Sequence, residues 1–336
     1  MEVQKYTAKD FKSNQELRWC PGCGDFMVLA AVQKAMSELN HKKEDYAVIS
    51  GIGCSSRFPY YMNTYGFHGI HGRAALLASG VKIANPKLSV WQITGDGDAL
   101  AIGGNHFIHE VRRNIDVNVL LFNNQIYGLT KGQYSPTSLK GQKTKTSPFG
   151  TIEIPFNPGQ LTIGAGGRFF ARTIDNNVKE TVEIFKEADG FKGTSIIEIL
   201  QNCVIFNNGA HSAITDKLTR EDNQLWVEHG KPMIFGKEKN KGIILDGIKL
   251  KVVEIGKNGI TENDILIHDI YETDTTIHNA LISLELPNFP VVFGIIRAIP
   301  DDSYDQLLVE QIEDVKSKSK IKSMDDLFNS GSTWEV

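Results

Sequence analysis

Five short apolar runs, Tyr46–Ser50, Leu88–Thr94, Val117–Phe122, Arg168–Arg172 and Thr194–Leu200, alternate with stretches whose apolar residues recur at helical spacing. No other feature constrains the fold as strongly. Runs this short and this poor in polar positions suit strands buried on both faces, and helices between them act as crossovers. The expected class is α/β, with a doubly wound, mostly parallel sheet carrying helices on both sides. Arg168–Arg172 is the weakest of the five runs. Helices are expected at Arg73–Ala84 (ended by Asn85-Pro86), at Ala99–Val111 and at Val178–Ala188. A fourth should follow Asp25, because Leu29, Val32, Met36 and Leu39 lie three or four residues apart.

Three regions follow from this reading. Residues 1–24 form an irregular arm, residues 25–210 the α/β domain, and residues 211–336 a smaller C-terminal extension with β content. The β content is expected in Gly230–Gly259 and Leu281–Ala298, with Ser323–Val336 as a surface tail. Connections in such folds usually run to about 2–6 residues, so the stretch Gln125–Gly159 reads as a binding loop, a lid or a disordered segment.

Composition narrows the function classes. A formal net charge of -4 offers no attraction to nucleic acid or to an anionic membrane, and neither is expected as a partner. No apolar run reaches the roughly 18–20 residues needed to span a bilayer. The polar start Met1-Glu2-Val3-Gln4-Lys5 does not read as a secretory signal, so a cytoplasmic location is expected. In that setting the four cysteines, Cys20, Cys23, Cys54 and Cys203, are expected in metal or redox roles instead of disulfides.

Four of the chemistry-bearing groups follow expected strands. Cys54 comes four residues after Tyr46–Ser50, and Gly95-Asp96-Gly97-Asp98 directly after Leu88–Thr94. Asn123-Asn124 comes directly after Val117–Phe122, and Cys203 three residues after Thr194–Leu200. In a parallel sheet these groups share the rim at the carboxyl ends, where open α/β sheets bind ligands. Gly95-Asp96-Gly97 is separated from Asn123-Asn124 by 25 residues. That spacing resembles the thiamine-diphosphate motif. There a magnesium ion bridging the diphosphate takes oxygen ligands from the Asp (here Asp96), the second Asn (here Asn124) and a backbone carbonyl two residues later (here Ile126). Glycines allow close approach of the backbone, and the helix beginning near Ala99 would aim its N-terminus at the phosphates. The spacing does not fit the dinucleotide fingerprint.

Cys20-Pro21-Gly22-Cys23 is a two-thiolate chelate that Cys54 and Cys203 could complete. Thiolates select zinc or an iron–sulfur cluster, and spacing alone does not separate the two; buried apolar cysteines are the third reading. One pair plus two distant singles is unlike a zinc ribbon.

Several strings, in this order, resemble the β subunit of the 2-oxoacid:ferredoxin oxidoreductases. They are Trp19-Cys20-Pro21-Gly22-Cys23-Gly24-Asp25, Gly51-Ile52-Gly53-Cys54-Ser55-Ser56-Arg57 and His68-Gly69-Ile70-His71-Gly72-Arg73, then Gly95-Asp96-Gly97-Asp98 and Asn123-Asn124-Gln125-Ile126-Tyr127-Gly128-Leu129-Thr130. The resemblance is dense over residues 15–210 and looser beyond. It implies a sheet of the thiamine-diphosphate-binding type and a 4Fe-4S cluster held by all four cysteines. It also implies that thiamine diphosphate lies against Gly53, Cys54, Ser55, Gly95, Asp96, Gly97, Asp98, Asn124, Ile126, Gly128 and Leu129.

The activity so implied is oxidative decarboxylation of a 2-oxoacid, with the acyl group passed to coenzyme A and electrons passed through the cluster to ferredoxin. His71 is expected at the diphosphate or the substrate carboxylate, the ordinary alternative being a hydrogen-bonded loop histidine; His68, His106 and His109 take that ordinary reading. Leu129-Thr130-Lys131-Gly132-Gln133 resembles the 2-oxoglutarate version of its loop, with Lys131 paired to the distal carboxylate and Arg57 a second candidate. Lys140, Lys143 and Lys145 read as a solvated charge run before they read as a coenzyme A site. In this family the glutamate that activates the cofactor comes from an α subunit, so the chain is expected to be inactive alone. The rival readings are pyruvate or a broad range of 2-oxoacids as substrate, and a non-catalytic electron-transfer or zinc-binding subunit.

Overall fold

The computed structural model describes residues 5–334; the first four residues of the polar N-terminus and the last two of the expected tail lie outside them. Eleven strands fall in chain order. They are β1 (Tyr46–Ser50), β2 (Tyr65–His68), β3 (Ser89–Gly95), β4 (Asn118–Asn123), β5 (Phe169–Ile174), β6 (Ser195–Leu200), β7 (Gln224–Val227), β8 (Ile234–Phe235), β9 (Lys241–Asp246), β10 (Lys249–Glu254) and β11 (Val291–Ala298). Eight of them form one sheet in the order β2-β1-β3-β4-β6-β5-β11-β7. Every pairing from β2 to β5 is parallel, and the sheet reverses direction only where β11 meets β5 antiparallel. The mostly parallel α/β fold expected from the alternating runs is the fold observed.

The strands are near-continuous apolar runs because both faces are covered. Along β1, β3, β4 and β6, alternate residues supply two separate cores. Ala47, Ile49, Val90, Val119, Leu121 and Ile196 point to one, with Phe107 and Val111 from the helix Gly104–Arg113. Tyr46, Val48, Trp91, Ile93, Leu120, Phe122 and Ile197 point to the other, with Val32 and Met36 from the helix Asp25–Glu38 and Phe185 from the helix Val178–Gly190. Period-two alternation in the strand and period 3.6 in the helix place these side chains face to face.

Two expectations are corrected. The weakest run is a strand, but it begins one residue later and extends to Ile174, because Thr173 and Ile174 are as buried as Phe169 and Phe170. The single helix expected at Ala99–Val111 is instead a π-helical turn, Asp98–Ile102, followed by the helix Gly104–Arg113. The break sits where the loop at Gly72 presses on the chain. A Cβ on Gly103 would lie 2.4 Å from the Asp98 carbonyl and 3.1 Å from Gly72 Cα. Only a glycine allows that approach.

The chain after residue 210 both extends the main sheet and builds its own. β11 and β7 add to the edge beyond β5, while β8, β9 and β10 form a separate antiparallel sheet. The expected tail contains a short exposed helix, Met324–Phe328. Residues 124–157 contain no helix or strand, yet Ser135, Thr137, Ser138 and Thr151 within them are buried. The long loop is therefore a folded cover over the rim of the sheet.

Candidate active site

Parallel pairing brings the carboxyl ends of β1, β2, β3, β4 and β6 to one edge, and the loops leaving β1, β2, β3 and β4 enclose a cavity of about 550 Å3. It is lined by Gly53, Cys54, Ser55, His71, Gly95, Asp96, Gly97, Asp98, Asn124, Ile126, Gly128 and Leu129. Every residue expected against a cofactor is thus in one place. Tyr127, Thr130 and Gln133 also line it and were not singled out in the sequence. A cavity of this size, largely apolar with a few convergent polar groups, is the usual form of a small-molecule site. A larger hollow of about 920 Å3 lies far along the chain among Trp226, Phe235 and Glu262. It mixes cations with carboxylates and contains none of the motif residues among the described ones.

Asp96 is buried at the foot of the first cavity, 2% exposed. Ser135 donates to its Oδ2 at 2.5 Å, and the Thr137 hydroxyl reaches the same oxygen. Burial raises the Asp96 carboxyl to about 6, against the lowering effect of those two hydroxyls and the backbone N–H groups. Asn124 lines the same cavity, its side-chain oxygen accepting from the Ile126 backbone N–H at 3.1 Å. A buried carboxylate, an amide oxygen and neighbouring carbonyls form an all-oxygen donor set. Such a set suits a hard cation of the kind that neutralises a diphosphate. The residues present fit magnesium and a diphosphate cofactor.

Asp98 has a different task. Its Oδ1 accepts from the backbone N–H groups of Ile52 at 3.0 Å and Gly72 at 2.7 Å, and its Oδ2 from the Thr94 hydroxyl at 2.7 Å. His71 completes the set, with Nδ1 donating to Oδ1 at 2.8 Å. One carboxylate therefore ties together the loops after β1, β2 and β3, and it fixes His71 with Nε2 unpartnered among the described residues. His68 is held by Ser50 and the Ser56 carbonyl, as an ordinary loop histidine would be.

The four cysteines form no disulfide and line a second cavity of about 220 Å3. It shares Cys54, Asn124, Gly128 and Leu129 with the first. The arm is held there by Trp19, whose indole N–H donates to the Cys54 carbonyl at 2.6 Å and whose ring packs edge-on against Phe26 and Tyr61. A Cβ on Gly128 would sit 3.5 Å from the sulfurs of both Cys54 and Cys203, so at most twice that distance separates them. Burial and then the nearby Asp25 carboxylate push two of the thiols up, Cys54 to about 12 and Cys23 higher still.

Zinc needs its sulfurs about 2.3 Å from a single point. Among the described residues no three His, Cys, Asp or Glu side chains converge on a point of that kind. Thiols spaced around a cavity fit a multinuclear cluster better. Next to them the Asp25 carboxylate is buried, and burial raises it to about 7 against the lowering effect of the neighbouring Cys23 thiol.

The two candidate carboxylate partners separate. Arg57 lines the thiol cavity and also a hollow of about 390 Å3, which it shares with Arg18 and His68 and which meets the first cavity at Ile52, Gly53 and Leu129. Lys131 lines the thiol cavity but neither the first cavity nor that hollow, and is exposed at a positive φ of 76°. Spacing could not have shown this, because the turn at Lys131-Gly132 decides which way the side chain leaves.

Comparisons with known proteins agree with this geometry. The family model for the thiamine pyrophosphate enzyme C-terminal TPP-binding domain matches residues 51–199. The 2-oxoglutarate oxidoreductase subunit KorB of Mycobacterium tuberculosis is 44% identical over 336 residues, covering 99% of this chain and 89% of that protein. The 2-oxoglutarate synthase subunit KorB of Methanocaldococcus jannaschii is 42% identical over 233 residues, 68% of this chain and 85% of its own. A solved 2-oxoglutarate:ferredoxin oxidoreductase from Magnetococcus marinus, with 2-oxoglutarate, coenzyme A and succinyl-CoA bound, superposes with a TM-score of 0.79 at 30% identity, over 99% of this chain and 98% of that one. Near-full-length identity above 40% leaves no room for a relationship of fold alone, and the chain belongs to the thiamine-dependent 2-oxoacid:ferredoxin oxidoreductases as a β subunit.

Proposed function

We propose that this chain, together with an α subunit, oxidatively decarboxylates 2-oxoglutarate with coenzyme A, giving succinyl-CoA and carbon dioxide, and passes the electrons to ferredoxin. The observation that carries the reading is the pair of cavities meeting at Cys54, Asn124, Gly128 and Leu129. One has the donor set for a magnesium-bound diphosphate and the other is ringed by thiols. Thiamine diphosphate would supply the nucleophilic carbon and the electron sink that decarboxylation of a 2-oxoacid requires. A 4Fe-4S cluster would accept the electrons one at a time.

The chain's own residues have separate duties. Asp96, Asn124 and the Ile126 carbonyl hold the cation, and Gly95 and Gly97 let the backbone approach the phosphates. His71, oriented by Asp98, presents Nε2 to the diphosphate or the substrate carboxylate. Arg57 takes the distal carboxylate of 2-oxoglutarate, since its hollow opens onto the cofactor cavity; Lys131 stands on the thiol side. Cys20, Cys23, Cys54 and Cys203 hold the cluster. In this division residues 1–24 bring two cluster ligands, residues 25–210 bring the cofactor site, and residues 211–336 extend the sheet and add the outer antiparallel sheet.

The acidic groups lining the cofactor cavity, Asp96 and Asp98, are both tied to other groups. The family resemblance implies that the carboxylate activating the cofactor's ring comes from the α subunit, and this lining is consistent with that. Among the described residues no helix is long and apolar enough to cross a membrane, and we assign the assembly to the cytoplasm, where thiols stay reduced.

Anaerobic co-purification with the α subunit, followed by a substrate panel with coenzyme A and a dye acceptor, tests the reading. 2-Oxoglutarate should be turned over in preference to pyruvate and 2-oxobutyrate, and only by the complex. Equal rates on all three would favour a broad-range enzyme. Turnover by the chain alone would defeat the need for a partner.

A further inference from the structure

We propose that the buried ion pair Arg172–Glu198 is a positioning device for the cation site, acting through Asn123 and Thr137 on Asp96; this rests on the cofactor site proposed above. Arg172 and Glu198 are direct register partners on β5 and β6. Asn123 lies diagonally across from Glu198, on the same face of β4, because Glu198 pairs with Leu121 and side chains alternate. Arg172 Nε donates to Glu198 Oε2 at 2.7 Å, and Asn123 Nδ2 donates to Glu198 Oε1 at 2.7 Å. The single proton of the Thr137 hydroxyl is shared between two acceptors, Asn123 Oδ1 at 2.9 Å and Asp96 Oδ2, so Thr137 stands between the amide and the carboxylate. All five side chains are 5% exposed or less.

The chemistry of this chain of contacts argues for a purpose. A buried ion pair contributes little net stability, since desolvation offsets the attraction, so its presence points to specificity of arrangement. Here Glu198 can only accept, so Asn123 must turn its amide N–H toward Glu198 and its carbonyl oxygen toward the loop. That orientation gives the Thr137 hydroxyl an acceptor and seats the loop over Asp96. Ser138, whose Oγ donates to the Gln125 carbonyl at 2.6 Å, pins the same loop from its other side. Asn123 adjoins Asn124, so one residue set on the strand end and the other set on the loop are fixed together. Glu198 touches neither cofactor nor substrate. It is a positioning residue, linked to the cation through three intervening side chains.

The test uses the full chain, alone or with the subunit that co-purifies with it. Thiamine diphosphate is titrated at saturating Mg2+, and Mg2+ at saturating thiamine diphosphate, by calorimetry, with hydrogen exchange recorded over residues 133–142. Glu198→Gln and the charge-free pair Arg172→Met/Glu198→Met should each weaken Mg2+ binding between about tenfold and a hundredfold, the range typical for groups supporting a metal ligand. They should also raise exchange in the loop.

The effect of Glu198→Gln should largely vanish in a Thr137→Val background, because the path is already cut there. Thr137→Ser, which keeps the hydroxyl, should bind as wild type does. A folded Arg172→Met/Glu198→Met variant with unchanged Mg2+ affinity overturns the proposal, as does full additivity of Glu198→Gln with Thr137→Val. If the Glu198 variants fail to fold, Thr137→Val decides it: wild-type affinity and loop protection in that variant refute the path. A wild-type chain that binds no thiamine diphosphate refutes the cofactor site itself, which is a separate outcome.

Discussion

The Nδ1 atom of His71 lies 2.8 Å from Oδ1 of Asp98, and the carboxylate that holds it also receives the backbone N–H groups of Ile52 and Gly72. A carboxylate can only accept, so His71 carries a proton on Nδ1, and Nε2 is the atom it can offer to the cavity. Asp98→Asn removes this preference, since an amide can also donate to Nδ1. Turnover at saturating cofactor should fall by about 10²-fold or more, as when an orienting group behind a functional histidine is lost. Melting temperature will fall as well, so the rate is read below it. Unchanged turnover would limit Asp98 to joining the loops.

The contact of Gly128 with two sulfurs leads to a second expectation. Gly128→Val places methyl groups between Cys54 and Cys203, where the Cβ alone would be 3.5 Å from each. The chain should still fold, because the side chain enters a cavity rather than packed core. Iron and acid-labile sulfide should then drop well below wild type, together with the broad visible absorption. Each of Cys20→Ser, Cys23→Ser, Cys54→Ser and Cys203→Ser should do the same. Zinc retained in place of iron would contradict the cluster reading.

Arg57 and Lys131 are separable by kinetics. Arg57→Ala should raise KM for 2-oxoglutarate by roughly ten- to a hundredfold, the value of a hydrogen bond to a charged group, while leaving KM for 2-oxobutyrate within about threefold. Lys131→Ala should change both by less than that, because Lys131 lines the thiol cavity and not the cofactor cavity. A reversed ranking would return the distal carboxylate to Lys131.

His268 makes the fold sensitive to acid at a point remote from the site. It is 1% exposed, its Nε2 donates to the Ile295 carbonyl at 2.9 Å, and its Nδ1 is buried without a partner. Burial lowers its pKa to about 4 from an ordinary 6.5. The unfolded chain therefore binds a proton that the folded chain refuses between those values. The associated stability is fully present above pH 6.5 and is lost as pH falls toward 4, by about 3 kcal/mol at most. His268→Gln keeps a donor and removes the titration. Its melting temperature should drop less between pH 7 and pH 5 than that of wild type. Equal drops would place the acid sensitivity elsewhere.

The sequence by itself determined the class of fold and which strand-end motifs share one rim. Apolar runs of strand length between helical-period stretches can bury both faces only in a parallel sheet, and parallel strands deliver the residues that follow them to one rim. Asp96, Asn124, Cys54 and Cys203 could therefore be grouped before any coordinates, and the Cys20–Cys23 arm joined them through resemblance. What only the tertiary structure decided was the role of side chains whose partners lie far away in sequence. Asp98 was expected against the cofactor and lines its cavity, but that its carboxylate would hold His71 and two loop backbones could not be read from the motif. Lys131 left the larger cavity because of a turn with positive φ. The helix expected from Ala99 broke where Gly72 packs on Gly103. Arg172, Glu198 and Thr137 carried no signal in the sequence, since the meaning of a buried charge or hydroxyl lies in what it meets. Local periodicity sets where the chain goes, whereas hydrogen bonds between residues 26 to 75 positions apart are fixed only when the sheet has closed.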